Sequence, residues 1–212
     1  MQAQTAARPN VGEYYRKIYA AREPVQHEWV AGSASPELIQ LVWQQKIQPG
    51  ARVLEVGCGI GTESVFLAVR GMQVSGLDIS EAAIVRARQL AELYGVEADF
   101  QVGDVRALPF AAEEFDVVCD QGVFHHLYDD ERAEYTKQIL KVLRPGGMFL
   151  LRSYSDAIPG DEPQPRRIRS RELMDTFSPY FELEHLERVL SFSTPARSRP
   201  LGWHSIWLKS AH

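Results

Sequence analysis

A short apolar segment, Arg52–Val56, runs directly into three alternating glycines, Gly57, Gly59 and Gly61, and a helical pattern begins at Thr62. Few arrangements satisfy that order. Glycines let the backbone turn sharply after a strand and let a ligand approach the main chain closely. A helix starting at once leaves free amides and a favourable dipole for an anionic group at the turn. The spacing is G-x-G-x-G with an acid, Glu55, two residues ahead of it, which departs from the G-x-G-x-x-G of dinucleotide-binding turns.

The rest of the chain repeats the strand–helix alternation. Strand patterns fall at 52–56, 72–78, 99–102, 115–119 and 148–153, separated by helical patterns at 62–70, 80–94 and 129–143. Strands that are apolar throughout and alternate with helices of about 10–15 residues predict parallel βαβ units covered on both faces. Ahead of them, 1–12 reads as a loose tail, Glu13–Ala20 as a short aromatic helix, and Ser35-Pro36 as the start of a helix reaching Ile47 and ended by Pro49-Gly50. After them, 155–170 reads as a loop containing Pro159, Gly160, Pro163 and Pro165, and 171–177 as a short helix. The strand-like runs 181–192 and 203–209 are joined by a stretch too short for a helical crossover, which predicts an antiparallel pair at the sheet edge. The expected organisation is one domain: helices and a lid in 1–50, a core in 51–155, and a loop with antiparallel strands in 156–212.

Composition excludes several classes. With 45% hydrophobic and 24% charged residues, the 212-residue chain is globular rather than disordered. The formal net charge of -5 is wrong for a nucleic-acid clamp. It splits unevenly: residues 1–131 carry 10 basic and 19 acidic side chains, and 132–212 carry 13 and 9. Cys58 and Cys119 sit in apolar surroundings outside any C-x-x-C pair, so neither a disulfide scaffold nor a metal site is expected. No apolar run reaches the roughly 18 residues of a membrane span, and the polar start does not read as a signal peptide. A cytoplasmic protein is the expectation.

Two more acids end strands beside the glycine turn. Asp78 closes the second and is suited to accept hydrogen bonds from ribose hydroxyls; Asp104, in Gly103-Asp104-Val105, closes the third and is placed to meet an exocyclic amine. Together with Phe115-Asp116-Val117-Val118 and Leu143-Arg144-Pro145-Gly146-Gly147, these motifs make the chain from Val53 to Arg152 resemble the class I S-adenosylmethionine-dependent methyltransferases. More loosely it resembles their thiopurine and tellurite branch, through Asp120–Leu127 and Tyr135. The resemblance implies a Rossmann-like, doubly wound, seven-stranded α/β sheet, mostly parallel with an antiparallel last strand and helices on both faces. It implies S-adenosylmethionine as cofactor. Gly57, Gly59 and Gly61, with Glu55, Cys58 and Thr62 in the same turn, would line it. Asp78 and Ile79 would hold the ribose, Gly103 and Asp104 the adenine amine, and Val105 would flank the ring. Gln121, Gly122 and Tyr14 complete the expected cofactor set.

The acceptor side should follow strand four, where Cys119-Asp120-Gln121-Gly122-Val123-Phe124-His125-His126-Leu127 gathers polar groups at the carboxyl end of a parallel strand. His125 is the first candidate base and His126 the second, either being alternatively a packed or capping histidine. Asp120 is a third candidate, for the acceptor or the cofactor's ammonium. Tyr14, Tyr15 and Tyr19 could close an aromatic lid over a sulfonium or pack a helix on the sheet edge. Tyr19, Trp29, Arg152, Tyr154 and Arg166 are assigned to the acceptor wall, where an arginine would suit a carboxylate-bearing substrate; ordinary surface charge is the alternative for Arg166 and its neighbours. The expected activity is methyl transfer to an S, O or N atom of a small molecule, without metal, nucleic acid or membrane, by a monomer or homodimer. The alternatives are a protein or RNA methyltransferase and a non-catalytic cofactor-binding module.

Overall fold

The computed structural model describes residues 8–158, 165–190 and 201–210. The expected tail over 1–7, the prolines and glycine at 159, 160 and 163, and most of the connection between the last two strands lie outside the described residues.

Helix α1 spans Val11–Ala21, capped by the Asn10 side chain, which accepts the Glu13 amide at 3.0 Å. Helix α2 spans Pro36–Trp43, shorter than the sequence pattern predicts. Gln45 adopts φ 59°, and the amides of Gln45 and Lys46 bond back to the Val42 and Leu41 carbonyls. That left-handed exit satisfies carbonyls at the helix end and carries Ile47 into the core as a non-helical residue.

The alternating region follows: β1 Arg52–Val56, α3 Thr62–Val69, β2 Gln73–Asp78, α4 Glu81–Tyr94, β3 Asp99–Val102, β4 Phe115–Asp120, α5 Asp129–Val142 and β5 Leu143–Tyr154. Strand β5 reaches back through the Pro145-Gly146-Gly147 turn to pair Leu143 with Phe115, with a register shift before Val117. Helix α6, Ser170–Phe177, precedes β6, Phe181–Leu190, and β7, Leu201–Lys209. The seven strands are ordered β3-β2-β1-β4-β5-β7-β6. The first five are mutually parallel. Strand β7 inserts between β5 and β6 and is antiparallel to both, so β6, not the last strand, forms the edge.

Alternate residues of each strand serve opposite faces. Leu54, Val118, Phe149 and Leu151 pack against Phe124, Tyr135, Ile139, Phe177 and Trp207 on one face. Val53, Val117, Cys119, Leu150 and Ile206 pack against Leu38, Leu41, Ile47 and Leu67 on the other. Burying each large apolar side chain contributes about 1.5–3 kcal/mol, which explains why the central strands carry apolar residues on both faces. The strand order reverses between β1 and β4. Open α/β sheets form their binding crevice at that point, beyond the carboxyl ends of the strands.

Candidate active site

The glycine turn leaves β1 at that crevice. The Gly57 and Cys58 amides both donate to the Leu77 carbonyl of β2, at 2.7 and 3.0 Å. Gly57 has φ 68°, and a Cβ there would lie 2.1 Å from Val123 Cγ2. Gly59 has φ 53°, and its Cβ would lie 2.8 Å from the Tyr19 hydroxyl. Only glycine fits where the turn passes so close to the segment after β4 and to α1. Gly61, at φ 81°, is the N-cap of α3 and supplies no side-chain cap of its own, while the Glu55 carboxylate takes the Ser64 amide of the first turn.

The acids after the turn have different surroundings. Asp78 is buried; Oδ2 accepts the Gly59 amide at 2.9 Å and Oδ1 the Ser80 amide at 2.8 Å. Burial raises its pKa against the lowering effect of those amides. It therefore braces the glycine turn with the oxygens expected to meet a ribose. Ile79, beside it, meets α1: its carbonyl accepts Arg16 Nε at 3.2 Å, and a Cβ on Gly12 would lie 2.7 Å from Ile79 Cδ1. Glu55 is fully buried and accepts the Ser64 hydroxyl of α3; burial, then the neighbouring Glu63 carboxylate, push its pKa well up. It ties β1 to α3 from beneath the turn. Asp104 is held by Arg106, which also reaches Glu131, and the Arg106 guanidinium keeps its carboxyl below the usual range. Gly103 packs on Leu77, and Val105 lies against the α5-side core.

Asp120 is fully buried at the end of β4. Oδ1 accepts the Gly122 and Val123 amides, and Oδ2 accepts the Phe124 amide and the Tyr135 phenol. Four donors saturate its lone pairs, so this carboxylate shapes the loop rather than facing a ligand as the sequence suggested. In contrast, Gln121 Oε1 is buried with no hydrogen-bond partner among the described residues. An orphaned acceptor beside the glycine turn fits an ammonium donor, and the cradle formed by Gly57, Gly59 and Asp78 fits a ribose-bearing cofactor.

The turn that follows, Phe124–His126, carries the two imidazoles. His125 is buried, and its ring stacks on Tyr154 of β5 at 4.4 Å with a 4° interplanar angle. Its Nδ1 accepts the Tyr154 amide at 3.3 Å. The neutral ring then carries its proton on Nε2 and presents a donor, not a base. His126, with its ring 4.4 Å from that of His125, bonds through Nε2 to the Tyr15 hydroxyl of α1 at 2.8 Å. Tyr15 sits in an aromatic group with Tyr19 and Trp29, and Trp29 Nε1 donates to the Tyr19 hydroxyl at 2.9 Å. Burial, then Asp78, drives the Tyr19 phenol pKa up.

The structure thus brings together the glycine turn, Asp78, Gln121, Gly122, His125, His126, Tyr19, Trp29 and Tyr154. It turns others away. Tyr14 is 55% exposed, edge-on to Tyr15. Arg166 is spent on Asp129 at 2.7 Å, while its amide donates to the His125 carbonyl at 2.9 Å. Arg152 faces α2, 3.7 Å from Glu37. Cys58 and Cys119 are buried free thiols. Among the described residues, no three His, Cys, Asp or Glu side chains converge as metal ligands, and no helix is long and apolar enough to cross a membrane. Sequence reasoning underrated Tyr15. The signal was its i,i+4 spacing to Tyr19, which puts both rings on one face of α1.

A family described as a methyltransferase domain matches residues 53–147, the span from β1 through the turn inside β5. Over that span the chain carries the sequence of a methyltransferase domain, the family to which the sequence motifs point. The chain is similar along nearly its whole length to the 2-heptyl-1-hydroxyquinolin-4(1H)-one methyltransferase of Mycobacteroides abscessus, with 27% identity over 96% of this chain and 98% of that one. It is 31% identical to a ubiquinone biosynthesis O-methyltransferase of Ruegeria pomeroyi over 66% of this chain, spanning only 58% of that relative. In fold it matches the Burkholderia thailandensis 1,6-didemethyltoxoflavin-N1-methyltransferase, solved with 1,6-didemethyltoxoflavin and S-adenosylhomocysteine bound. The TM-score is 0.75 at 21% identity, covering 99% of this chain and 97% of that one.

Proposed function

We propose that this methyltransferase transfers a methyl group to a hydroxyl oxygen on a small, planar ring compound. The observation that carries this reading is the pair of imidazoles beyond β4, His125 accepting the Tyr154 amide at Nδ1 and His126 held beside it through its contact with the Tyr15 hydroxyl. A hydroxyl oxygen has to lose its proton as it is methylated, and one positioned base meets that need. The aromatic faces of Tyr15, Tyr19 and Trp29 suit a flat acceptor. The full-length relative acts, by its name, on a hydroxylated quinolone, and the R. pomeroyi relative is an O-methyltransferase.

The roles divide accordingly. S-adenosylmethionine, when bound, supplies an electrophilic methyl on a sulfonium. Asp78 accepts its ribose hydroxyls, the glycine turn lies against it, and Gln121 Oε1 accepts its ammonium. Asp104, already paired with Arg106, contributes less to its recognition than Asp78. His125 Nε2–H orients the acceptor, and His126 takes the hydroxyl proton. Alignment of oxygen with carbon in a closed, dry crevice does the remaining work.

The test is a set of acceptors sharing one planar ring and bearing a hydroxyl, a thiol or an amine, with methylated product read by mass spectrometry. Turnover of the hydroxyl compounds is expected. Turnover confined to thiols or amines overturns the oxygen assignment, and turnover of none, with tight cofactor binding, would favour a binding module.

A further inference from the structure

We infer that His27 is a positioning residue for the cofactor: its neutral ring holds Tyr19 against the glycine turn, and uptake of a proton releases that hold. The inference rests on the reading that the glycine turn and Asp78 carry the cofactor, and it assigns that site a control by pH.

His27 follows the short turn Pro24–Gln26, and its amide donates to the Pro24 carbonyl at 3.1 Å. The side chain is fully buried. Its ring stacks on Trp29 at 4.9 Å with an interplanar angle of 28° and lies tilted on Tyr19 at 4.8 Å. Those two neighbours are themselves tied, Trp29 Nε1 donating to the Tyr19 hydroxyl at 2.9 Å. The Tyr19 oxygen is the atom that a Cβ on Gly59 would meet at 2.8 Å, and Asp78 accepts the Gly59 amide. Direct contacts therefore run from His27 through Tyr19 and Gly59 to Asp78.

Neither ring nitrogen of His27 has a hydrogen-bond partner. The neutral ring tolerates that position as a packing group. An imidazolium would be a buried charge with nothing to receive its protons. The charged groups near it are of the wrong sign or already engaged. Arg22 ends α1 and Arg86 comes from α4, and both oppose a third cation. Glu23 lies 3.7 Å from the Arg86 guanidinium, and Glu28, next in the chain, is exposed. The Tyr19 phenol stays neutral, its pKa driven up by burial. The Arg22 carbonyl pulls toward protonation, but it already takes Arg86 Nη1 at 2.6 Å. Burial first, then Arg86 and Arg22, hold His27 below the usual imidazole range.

Helix α1 has to move for a cofactor to enter beneath Tyr19, and that movement returns His27 to water. The exposed ring then titrates near its ordinary value of about 6.5, and the docked ring at a lower one. Between the two values, undocking binds a proton and docking expels it. Acid therefore favours the undocked segment, and cofactor affinity falls as pH drops below about 6.5.

Two measurements test this. The first needs no cofactor: carbon-detected NMR of histidine-labelled protein, with the His27 signal assigned by its loss in His27→Phe. At pH 5.5 His27 should remain largely neutral, and its protonation at lower pH should shift the Trp29 indole signal with it. Ordinary titration with an unmoved Trp29 overturns the inference. The second is calorimetric titration with S-adenosylhomocysteine at pH 7.5 and pH 5.5. Wild type should lose about 5- to 10-fold more affinity over that interval than His27→Phe, which keeps a stacking ring but takes no proton. Asp78 and Glu55 are present in both proteins, so their own titration cancels in the comparison. At pH 7.5 His27→Phe should bind as wild type does, while His27→Ala, which removes the stack, should bind more weakly. Equal pH dependence in wild type and His27→Phe, or equal affinity of His27→Ala and wild type, overturns the inference. If wild type binds no S-adenosylhomocysteine at either pH, the cofactor reading itself fails, and the NMR titration still judges His27.

Discussion

The Tyr135 phenol of α5 donates to Asp120 Oδ2 at 2.6 Å, joining a helix to a carboxylate that also accepts three consecutive-loop amides, from Gly122, Val123 and Phe124. This buried network sets the path of the segment that presents Gln121, His125 and His126. Burial pushes the Asp120 carboxyl up in pKa, and the phenol and amides oppose it. Its ionised form is held by donors rather than by a cation.

Tyr135→Phe should therefore lower unfolding free energy by about 1–3 kcal/mol, the cost of an unmet hydrogen bond to a buried charged group. Asp120→Asn should cost more, because one carbonyl oxygen cannot serve four donors and the new NH2 faces donors. Urea denaturation measures both. An unchanged midpoint for Tyr135→Phe would show that the phenol does not support the loop.

Gly57→Ala should abolish cofactor binding, and Gly59→Ala should weaken it less. The first Cβ would overlap Val123 at 2.1 Å; the second would meet only the far end of the Tyr19 side chain at 2.8 Å. Both also oppose a positive φ, which costs a non-glycine residue about 1–2 kcal/mol. Calorimetric titration with S-adenosylhomocysteine gives the two affinities, and equal effects would discount the Val123 contact.

Asp78→Ala should weaken S-adenosylhomocysteine binding by roughly 10- to 100-fold, since hydrogen bonds to a charged group contribute about 1.5–3 kcal/mol. Two losses combine in this variant: the ribose contacts proposed above, and the anchor for the Gly59 amide. Asp104→Ala should cost several-fold less, as Arg106 already occupies that carboxylate. The reverse order in calorimetry would move the main recognition to the adenine end.

Stability should fall as pH drops from about 6.5 to 4. His204 of β7 is buried, and its pKa is lowered to about 4, chiefly by burial and then by Arg152 and His185. Between the unfolded and folded values, the unfolded chain binds the proton and the folded protein does not, so unfolding gains as pH falls. The full effect of this one group is about 3 kcal/mol. His185, Glu187 and Arg152 surround it and are present in both proteins when wild type is compared with His204→Gln. Denaturant midpoints at pH 7 and pH 5 should differ less in the variant.

The parallel strands and the glycine turn were legible in the sequence because each rests on local chemistry. Strands buried on both faces must be apolar throughout, a turn with positive φ needs glycine, and helices announce their ends. Ser80 caps α4, and Gly95 ends it at φ 64°. The end of α2 was less legible, because a left-handed Gln45 carries none of the bias that a glycine at that position would show.

What the tertiary structure decided is which polar atoms face one another. Asp120 and Gln121 are neighbours in sequence, yet one is saturated by four donors and the other's Oε1 has no partner among the described residues. His125 and His126 are likewise adjacent, but the backbone of β5 makes one a donor while a tyrosine 111 residues away engages the other. Residue type determines what a side chain can donate or accept; only the folded chain, by setting which partners arrive and which are excluded, determines what it has left to offer a substrate.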